Sequence, residues 1–248
     1  IGGFHLACKQ ATHKFNDPKK KAKCVFACEI NENARKTYKN NFERIEPNLF
    51  KNDRFATDIT KVDANEIDDF RLLCAGFPCQ PFSTIGQRAG FKHETQGTLF
   101  YDVLRIIKQK RPAAFLLENV KGLVSHDKGN TLDIIKKSLI KEGYEIQYQI
   151  LDSADFGVPQ NRERIFIVGF REDYQIEDFS YPKPLNKSVC FGDIKEKKVP
   201  STKYYLSTQY LSTLENHKAR HASKGNGFGF EIIPDNGISN AVVCGGMG

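Results

Sequence analysis

From residue 23 to about residue 170, short apolar runs alternate with amphipathic segments. This alternation constrains the fold more than any other property of the 248-residue chain. The runs 24–28, 70–75, 113–117 and 164–169 are short, rich in Val, Ile, Leu and Phe, and read as buried strands. Residues 144–151 alternate apolar and polar, as a half-buried strand does. Between these runs, residues 31–42, 98–110 and 130–142 carry helical spacing. Asn31 is placed as an N-cap, Pro112 follows the second helix, and Gly143 closes the third. Strands alternating with helices predict an α/β fold with a mostly parallel sheet covered by helices. In that architecture ligands bind beyond the carboxyl ends of the strands. After Tyr181-Pro182-Lys183-Pro184 the texture turns rich in Gly, Ser, Thr, Asn and Lys, with weak periodicity. We read two units, residues 1–185 and a smaller one over residues 186–248.

The chemistry-bearing residues gather at the predicted strand ends. Gly76-Phe77-Pro78-Cys79-Gln80-Pro81-Phe82-Ser83 sets one thiol between two prolines just after a strand. The prolines fix φ and remove two N–H donors, so this loop keeps its shape without a hydrogen-bond ladder. Glu118, in Leu117-Glu118-Asn119-Val120, ends another strand, and a carboxyl near a thiol suggests an acid paired with a nucleophile. A helix cap or surface acid would look the same in isolation. In Gln160-Asn161-Arg162-Glu163-Arg164, the two arginines share one face if the strand begins by Arg162, which suits an anionic or carbonyl-rich ligand. Gly2-Gly3 can end a cofactor loop, Glu29 can grip ribose hydroxyls, and Asp58 can reach an adenine amino group or cap a turn. The polar, glycine-punctuated segment 80–97 reads as a long functional loop.

Composition bounds the rest. A formal net charge of +7 points mildly to a polyanionic partner. No apolar run approaches the roughly 20 residues of a membrane span, and no signal peptide is visible. Seven cysteines with no Cys-x-x-Cys pair disfavour a disulfide framework or structural zinc and favour a reducing compartment. His217 and His221, four apart, can share a helix face but have no third ligand nearby, so no metal site is expected. Lys19-Lys20-Lys21-Ala22-Lys23 reads as a solvated loop.

Taken in order, these pieces resemble the cytosine carbon-5 DNA methyltransferases of bacterial modification systems. Ile1-Gly2-Gly3-Phe4 resembles the tail of that family's first S-adenosylmethionine motif. Cys28-Glu29-Ile30 and Thr57-Asp58-Ile59-Thr60 resemble its ribose and adenine contacts, and the octapeptide around Cys79 resembles its catalytic loop. Gly97-Thr98-Leu99-Phe100, Glu118-Asn119-Val120 and Gln160-Asn161-Arg162-Glu163-Arg164 complete the order. The resemblance runs from residue 1 to about residue 185. It implies a Rossmann-like, S-adenosylmethionine-dependent methyltransferase sheet with helices on both faces and a smaller, incomplete target-recognition domain. Lys224-Gly225-Asn226-Gly227-Phe228-Gly229-Phe230 resembles the start of that domain.

The same resemblance assigns roles. Cys79 is expected to attack cytosine carbon 6. Glu118 would hold the exocyclic amine and ring nitrogen 3, Arg164 the 2-oxygen, and Arg162 would support the geometry. Ile1, Gly2, Gly3, Glu29, Ile30, Asp58, Ile59, Gly76, Pro78 and Leu99 would hold S-adenosylmethionine, leaving S-adenosylhomocysteine as product. Gln80, Ser83 and Gln160 would touch DNA. The implied partners are double-stranded DNA and a cognate restriction endonuclease, for a cytoplasmic monomer without a membrane attachment. The chain departs from the family pattern at both ends: the strand expected before Ile1 and the last two motifs are absent. This predicts poor cofactor binding and little methylation by the chain alone. The alternatives are a tRNA cytosine-5 methyltransferase, a non-catalytic DNA-binding fragment, or half of a split methylase. A nicotinamide enzyme would use Gly2-Gly3 and Glu29 but leaves Cys79 and Glu118-Asn119-Val120 unexplained.

Overall fold

A computed structural model describes residues 1–52, 54–78, 99–176, 178–185, 187–198, 201–227 and 229–241. The chain divides into two compact units. One joins Ile1–Ile150 to Ile165–Ser180; the other joins Leu151–Arg164 to the described residues from Tyr181 onward.

In the first unit, helix α1 (Gly3–His13) leads to strand β1 (Ala27–Cys28), helix α2 (Glu32–Phe42) and strand β2 (Phe55–Ala56). Strand β3 (Leu72–Gly76), helix α3 (Leu99–Lys110), strand β4 (Ala114–Val120), helix α4 (Asn130–Lys141) and strand β5 (Tyr144–Asp152) follow. After the two-residue strand β6 (Gln160–Asn161), strand β7 (Glu163–Arg171) completes a four-stranded sheet in the order β3-β4-β7-β5. β1 and β2 pair in parallel, Ala27 against Phe55, and β3 and β4 pair in parallel, Leu72 against Ala114.

β7 departs from the parallel expectation. The Glu172 N–H donates to the Gly143 carbonyl at 3.1 Å, and the Ser153 N–H to the Arg162 carbonyl at 3.3 Å. These bonds join the start of β5 to the end of β7 and the end of β5 to the start of β7, so the two strands are antiparallel. The Arg171 N–H, donating to the Ala113 carbonyl at 3.0 Å, sets β7 against β4 in the same sense. The connection from β5 to β7 carries no crossover helix, which a parallel pair would need.

Helices cover both faces of the sheet. Phe115 and Leu117 of β4 and Ile165 and Ile167 of β7 point into a core with Phe100 and Ile107 of α3 and Leu132, Ile135 and Leu139 of α4. Leu73 and Ala75 of β3 face the same way. Cys74 therefore points to the other face, where its thiol meets that of Cys8 on α1. α1 in turn lies against α2, with the His5 ring stacked on Phe42 at 4.1 Å. A third cluster seats Ile106 of α3 against Ala64, Ile67 and Phe26.

The expected helices match these closely. Asn31 caps α2 as its spacing suggests, its side-chain oxygen accepting the Ala34 N–H at 3.0 Å. Three helices escaped the sequence reading. α1 buries only His5, so it shows no apolar stripe. In the second unit, helix α5 (Phe191–Ile194) precedes α6 (Thr208–Ala222), which buries no residue at all. Periodicity marks a helix only when one face is covered. His217 and His221 do share a face of α6, their rings 4.5 Å apart. β6 pairs in parallel with strand β8 (Ser239–Asn240), Gln160 opposite Ser239, and Gly192 of α5 donates its N–H to the Asp235 carbonyl at 2.7 Å.

Candidate active site

The carboxyl ends of β3 and β4 form the centre of the candidate site. In their parallel register Gly76 lies opposite Glu118. A Cβ on Gly76 would stand 3.2 Å from Glu118 Oε2, so glycine here leaves the carboxylate room beside the loop backbone. Glu118 alternates with the buried Leu117 and Asn119 and therefore projects from the face of β4 that bears α1. Beyond Gly76, Phe77 is buried against the Phe100 ring, centroids 5.6 Å apart, while Pro78 is exposed. Cys79, Gln80 and Ser83, with the rest of residues 79–98, lie outside the described residues.

Asn119 joins the two strand ends. It is 2% exposed, and its amide Nδ2 donates to the Phe77 carbonyl at 2.9 Å while its Oδ1 accepts the Val120 N–H at 2.8 Å. Both halves of the amide are thus used on backbone groups that β pairing leaves open. Sequence reasoning gave Asn119 no role. Its signal was visible: a lone polar residue in phase with Phe115 and Leu117, on the buried face of the strand.

The expected cofactor residues lie at the other helix and strand ends of the first unit. Gly2 caps α1 in the left-handed region, φ +73°, and a Cβ there would drive into the Phe42 ring at 2.3 Å. Gly3 has open space where a side chain would stand, and the first turn of α1 bears no acidic side chain. Ile1 is exposed, as is Ile30 at 71%. The Glu29 carboxylate accepts the Asn31 N–H at 2.8 Å. Asp58 caps the next turn: its Oδ1 accepts the Thr60 N–H at 3.0 Å and the Thr60 hydroxyl at 2.7 Å. Those bonds hold its carboxyl below the ordinary range, with Lys61 adding to them. Ile59 is half-buried against the third cluster, and Leu99, at the start of α3, packs on the main core.

Two arginines that sequence reasoning missed fix these turns. Arg35 of α2 donates to the Glu29 carbonyl at 3.2 Å, the Phe55 carbonyl at 3.0 Å and the Ala56 carbonyl, with its guanidinium 4.3 Å from the Phe55 ring centre. Arg105 of α3 donates to the carbonyls of Ile59 at 2.9 Å and Val62 at 2.8 Å. Each guanidinium spans several carbonyls because its donors form a planar fork.

Gln160, Arg162 and Arg164 belong to the second unit, whose first segment is Leu151–Arg164. Gln160 lies in the ladder with β8. Arg162 precedes β7 rather than opening it: its N–H donates to Asp152 Oδ1 at 2.8 Å. Arg164 is the second residue of β7, and one of its guanidinium nitrogens donates to the Glu163 carbonyl at 2.7 Å. The strand start that would put both arginines on one strand face is therefore shifted by one residue. Among the described residues no three His, Cys, Asp or Glu side chains are grouped to hold a metal ion, and no helix is long and apolar enough to cross a membrane.

Known proteins resemble this chain in sequence and in fold. The family model for C-5 cytosine-specific DNA methylase matches residues 1–243. The Type II methyltransferase M.HpaII of Haemophilus parainfluenzae is 51% identical over 100% of this chain and 65% of its own length. M.NlaX of Neisseria lactamica is 42% identical over 94% of this chain and 68% of its own. The chain thus spans about two thirds of the length of these relatives. Among solved structures, the S. pombe Dnmt2 methyltransferase superposes with a TM-score of 0.63 at 20% identity, over 96% of this chain and 66% of that one. At that identity the likeness speaks for the fold, a Rossmann-like α/β methyltransferase sheet. The whole-chain identities and the family match reach further than the fold: this chain belongs to the C-5 cytosine-specific DNA methylase family.

Proposed function

We propose that this chain carries the catalytic part of a DNA (cytosine-5)-methyltransferase, acting on a cytosine flipped out of a duplex site through a covalent adduct at Cys79. The observation that carries the reading is the pairing of Gly76 with Glu118, which sets a carboxyl beside the backbone that runs into Cys79. Carbon 5 of cytosine is a weak nucleophile within its ring. The Cys79 thiolate adds its electron pair to carbon 6, and the ring electrons move toward nitrogen 3 and the 2-oxygen. Glu118 meets the exocyclic amine and supplies a proton at nitrogen 3, while Arg164 binds the 2-oxygen where charge develops. Carbon 5 is then enamine-like and accepts a methyl group. Loss of the carbon-5 proton to a base expels the Cys79 sulfur as thiolate, the nitrogen-3 proton returns to Glu118, and the ring is restored. Cysteine is only a few per cent thiolate near neutral pH, so the site must remove that proton. A stacked cytosine is out of reach of all these groups, which requires extrusion of the base. Gln80, Ser83 and Gln160 contact DNA.

S-adenosylmethionine, when bound, supplies the methyl group as a sulfonium and leaves as S-adenosylhomocysteine. The residues at the α1 end fit such a group. Gly3 leaves open space at a helix N-terminus, which favours a carboxylate. The exposed Ile30 offers an apolar surface to an adenine ring; Glu29 precedes it, and Asp58 lies two residues past the end of the paired strand β2. Arg162 orients the active-site backbone. Residues 186–248 contribute to target recognition, with residues 1–185 as the catalytic and cofactor-binding part. The protein acts in the bacterial cytoplasm as a monomer, alongside a cognate endonuclease.

A duplex containing 5-fluorocytosine tests the reading, because fluorine cannot leave carbon 5 as a proton does. With S-adenosylmethionine present, a covalent adduct should accumulate even if turnover is slow, and peptide mapping should place it on Cys79. Mapping to another residue, or an equal adduct in Cys79→Ser, would overturn it. Tritium transfer to tRNA in preference to duplex DNA would replace the substrate.

A further inference from the structure

The lysine-rich segment 14–23 has no part in the site described above. It carries Lys14, Lys19, Lys20, Lys21 and Lys23 against a single acid, Asp17. Five positive charges less one leave +4, more than half of the chain's formal +7. All five lysines are exposed, and none forms an ion pair among the described residues.

Asp17 is engaged with the backbone of its own turn. Its carboxylate accepts the Lys19 N–H at 2.9 Å, and its carbonyl accepts the Lys20 N–H at 3.0 Å. The far end of the segment is tied to α1: the Ala22 N–H donates to Thr12 Oγ at 2.8 Å, and the Thr12 hydroxyl donates to the Cys8 carbonyl at 2.8 Å. The lysines therefore stand on a backbone held at both ends. Phe15, exposed beside them, adds an aromatic face with the Lys14 ammonium 5.7 Å from its centre. Concentrating unneutralised ammonium groups costs self-repulsion, which phosphates of a polyanion would relieve.

The place of the segment matters as much as its charge. It leads into β1 and so lies at the amino end of that strand, whereas Glu29 and Ile30 follow the carboxyl end. It is thus set at the opposite end of β1 from Glu29 and Ile30. We propose that residues 14–23 form a second duplex-DNA contact, one that grips backbone phosphates without reading sequence. The choice of duplex DNA rests on the function proposed above. Lysines suit this task because each is a point charge on a long stem, able to follow any phosphate.

The test compares the unaltered chain with Lys19→Gln/Lys20→Gln/Lys21→Gln/Lys23→Gln, using fluorescence anisotropy with a random-sequence 30-base-pair duplex between about 50 and 200 mM salt. Each lost phosphate contact removes about 0.9 from the slope of log affinity against log salt, so the slope should fall by roughly 2 to 4. Affinity at the lowest salt should drop about tenfold or more. Circular dichroism melting should be unchanged, which separates lost contact from lost fold. An equal slope and affinity in the variant would overturn the proposal. So would lysine-dependent binding to RNA or to an acidic protein without binding to the duplex. If lysine-dependent duplex binding holds while 5-fluorocytosine trapping fails, the proposed function falls and this contact stands.

Discussion

The Asn119 side-chain amide donates to the Phe77 carbonyl at 2.9 Å, and this one bond fastens the end of β4 to the backbone two residues before Cys79. Glu118 stands immediately before the donor and Gly76 immediately before the acceptor. The relative position of Glu118 and Gly76 is therefore supported by a buried neighbour of each.

Replacing Asn119 tests that fastening. Asn119→Ala leaves the buried Phe77 carbonyl and the part-buried Val120 N–H without this partner. Such losses cost about 1–3 kcal/mol each, and we expect the thermal midpoint to fall by several degrees. Asn119→Asp keeps the shape and the acceptor but not the donor, so it should also destabilise. A midpoint equal to wild type in both variants would remove the bond from the account.

Gly76→Ala should separate activity from stability. Its Cβ would press on Glu118 Oε2 at 3.2 Å, a contact the carboxylate escapes only by moving. Melting should change little, whereas methyl transfer should drop by roughly 10- to 100-fold, the usual cost of misplacing a reacting group by about 1 Å. Filter-bound tritium counts on duplex DNA give the rate. Full activity would show that the Glu118 position is not critical.

Arg35→Lys should weaken S-adenosylmethionine binding without touching it directly. One ammonium cannot serve the carbonyls of Glu29, Phe55 and Ala56 together, so the ends of β1 and β2 should loosen. Isothermal titration should show at least a roughly fivefold rise in Kd, near 1 kcal/mol. An unchanged Kd would mean that the pairing of β1 with β2 suffices.

His5 makes stability depend on pH. It is buried, its Nδ1 pairs with the Tyr38 hydroxyl at 2.8 Å, and its buried Nε2 has no hydrogen-bond partner. Burial lowers its pKa below the ordinary 6.5, although Glu46 pulls the other way. Between the lowered value and 6.5 the unfolded chain binds more protons, so stability falls as pH drops through that window. The melting midpoint should decline on acidification below neutrality, and His5→Gln should flatten the decline. An identical pH profile in the variant would assign the effect to other groups.

The thiols should differ in reactivity. A hydrogen bond from Cys74 lowers the Cys8 pKa to about 7, against the opposing effect of burial. Burial raises Cys28 to about 11 and also raises Cys24, while the bond with Cys8 and burial both raise Cys74. Brief iodoacetamide treatment near neutral pH, read by peptide mass spectrometry, should therefore alkylate Cys8 ahead of Cys24, Cys28 and Cys74. Prior labelling of Cys74 would contradict the direction of that bond.

Much of the scaffold was legible because its signals are local. A buried strand shows its apolar run and a covered helix its spacing, so β3, β4, β5, β7, α2, α3 and α4 were found close to their ends. α1 and α6 were not, since one buries a single histidine and the other nothing. The antiparallel course of β7 was also missed, because direction within a sheet leaves no mark on a strand's own residues.

The sequence by itself determined the family of chemistry: a cysteine loop, Glu118-Asn119-Val120 and the arginine-rich element, in order along one chain. Only the tertiary structure decided that Glu118 stands opposite Gly76, and that Asn119, Arg35 and Arg105 hold the turns around them. Arg35 reaches carbonyls 20 and 21 positions away, and Arg105 others 43 and 46 positions away. Such bonds depend on strand register and helix placement, where a slip of one residue turns every side chain to the other face. That register is a property of the packed sheet, and no single segment encodes it.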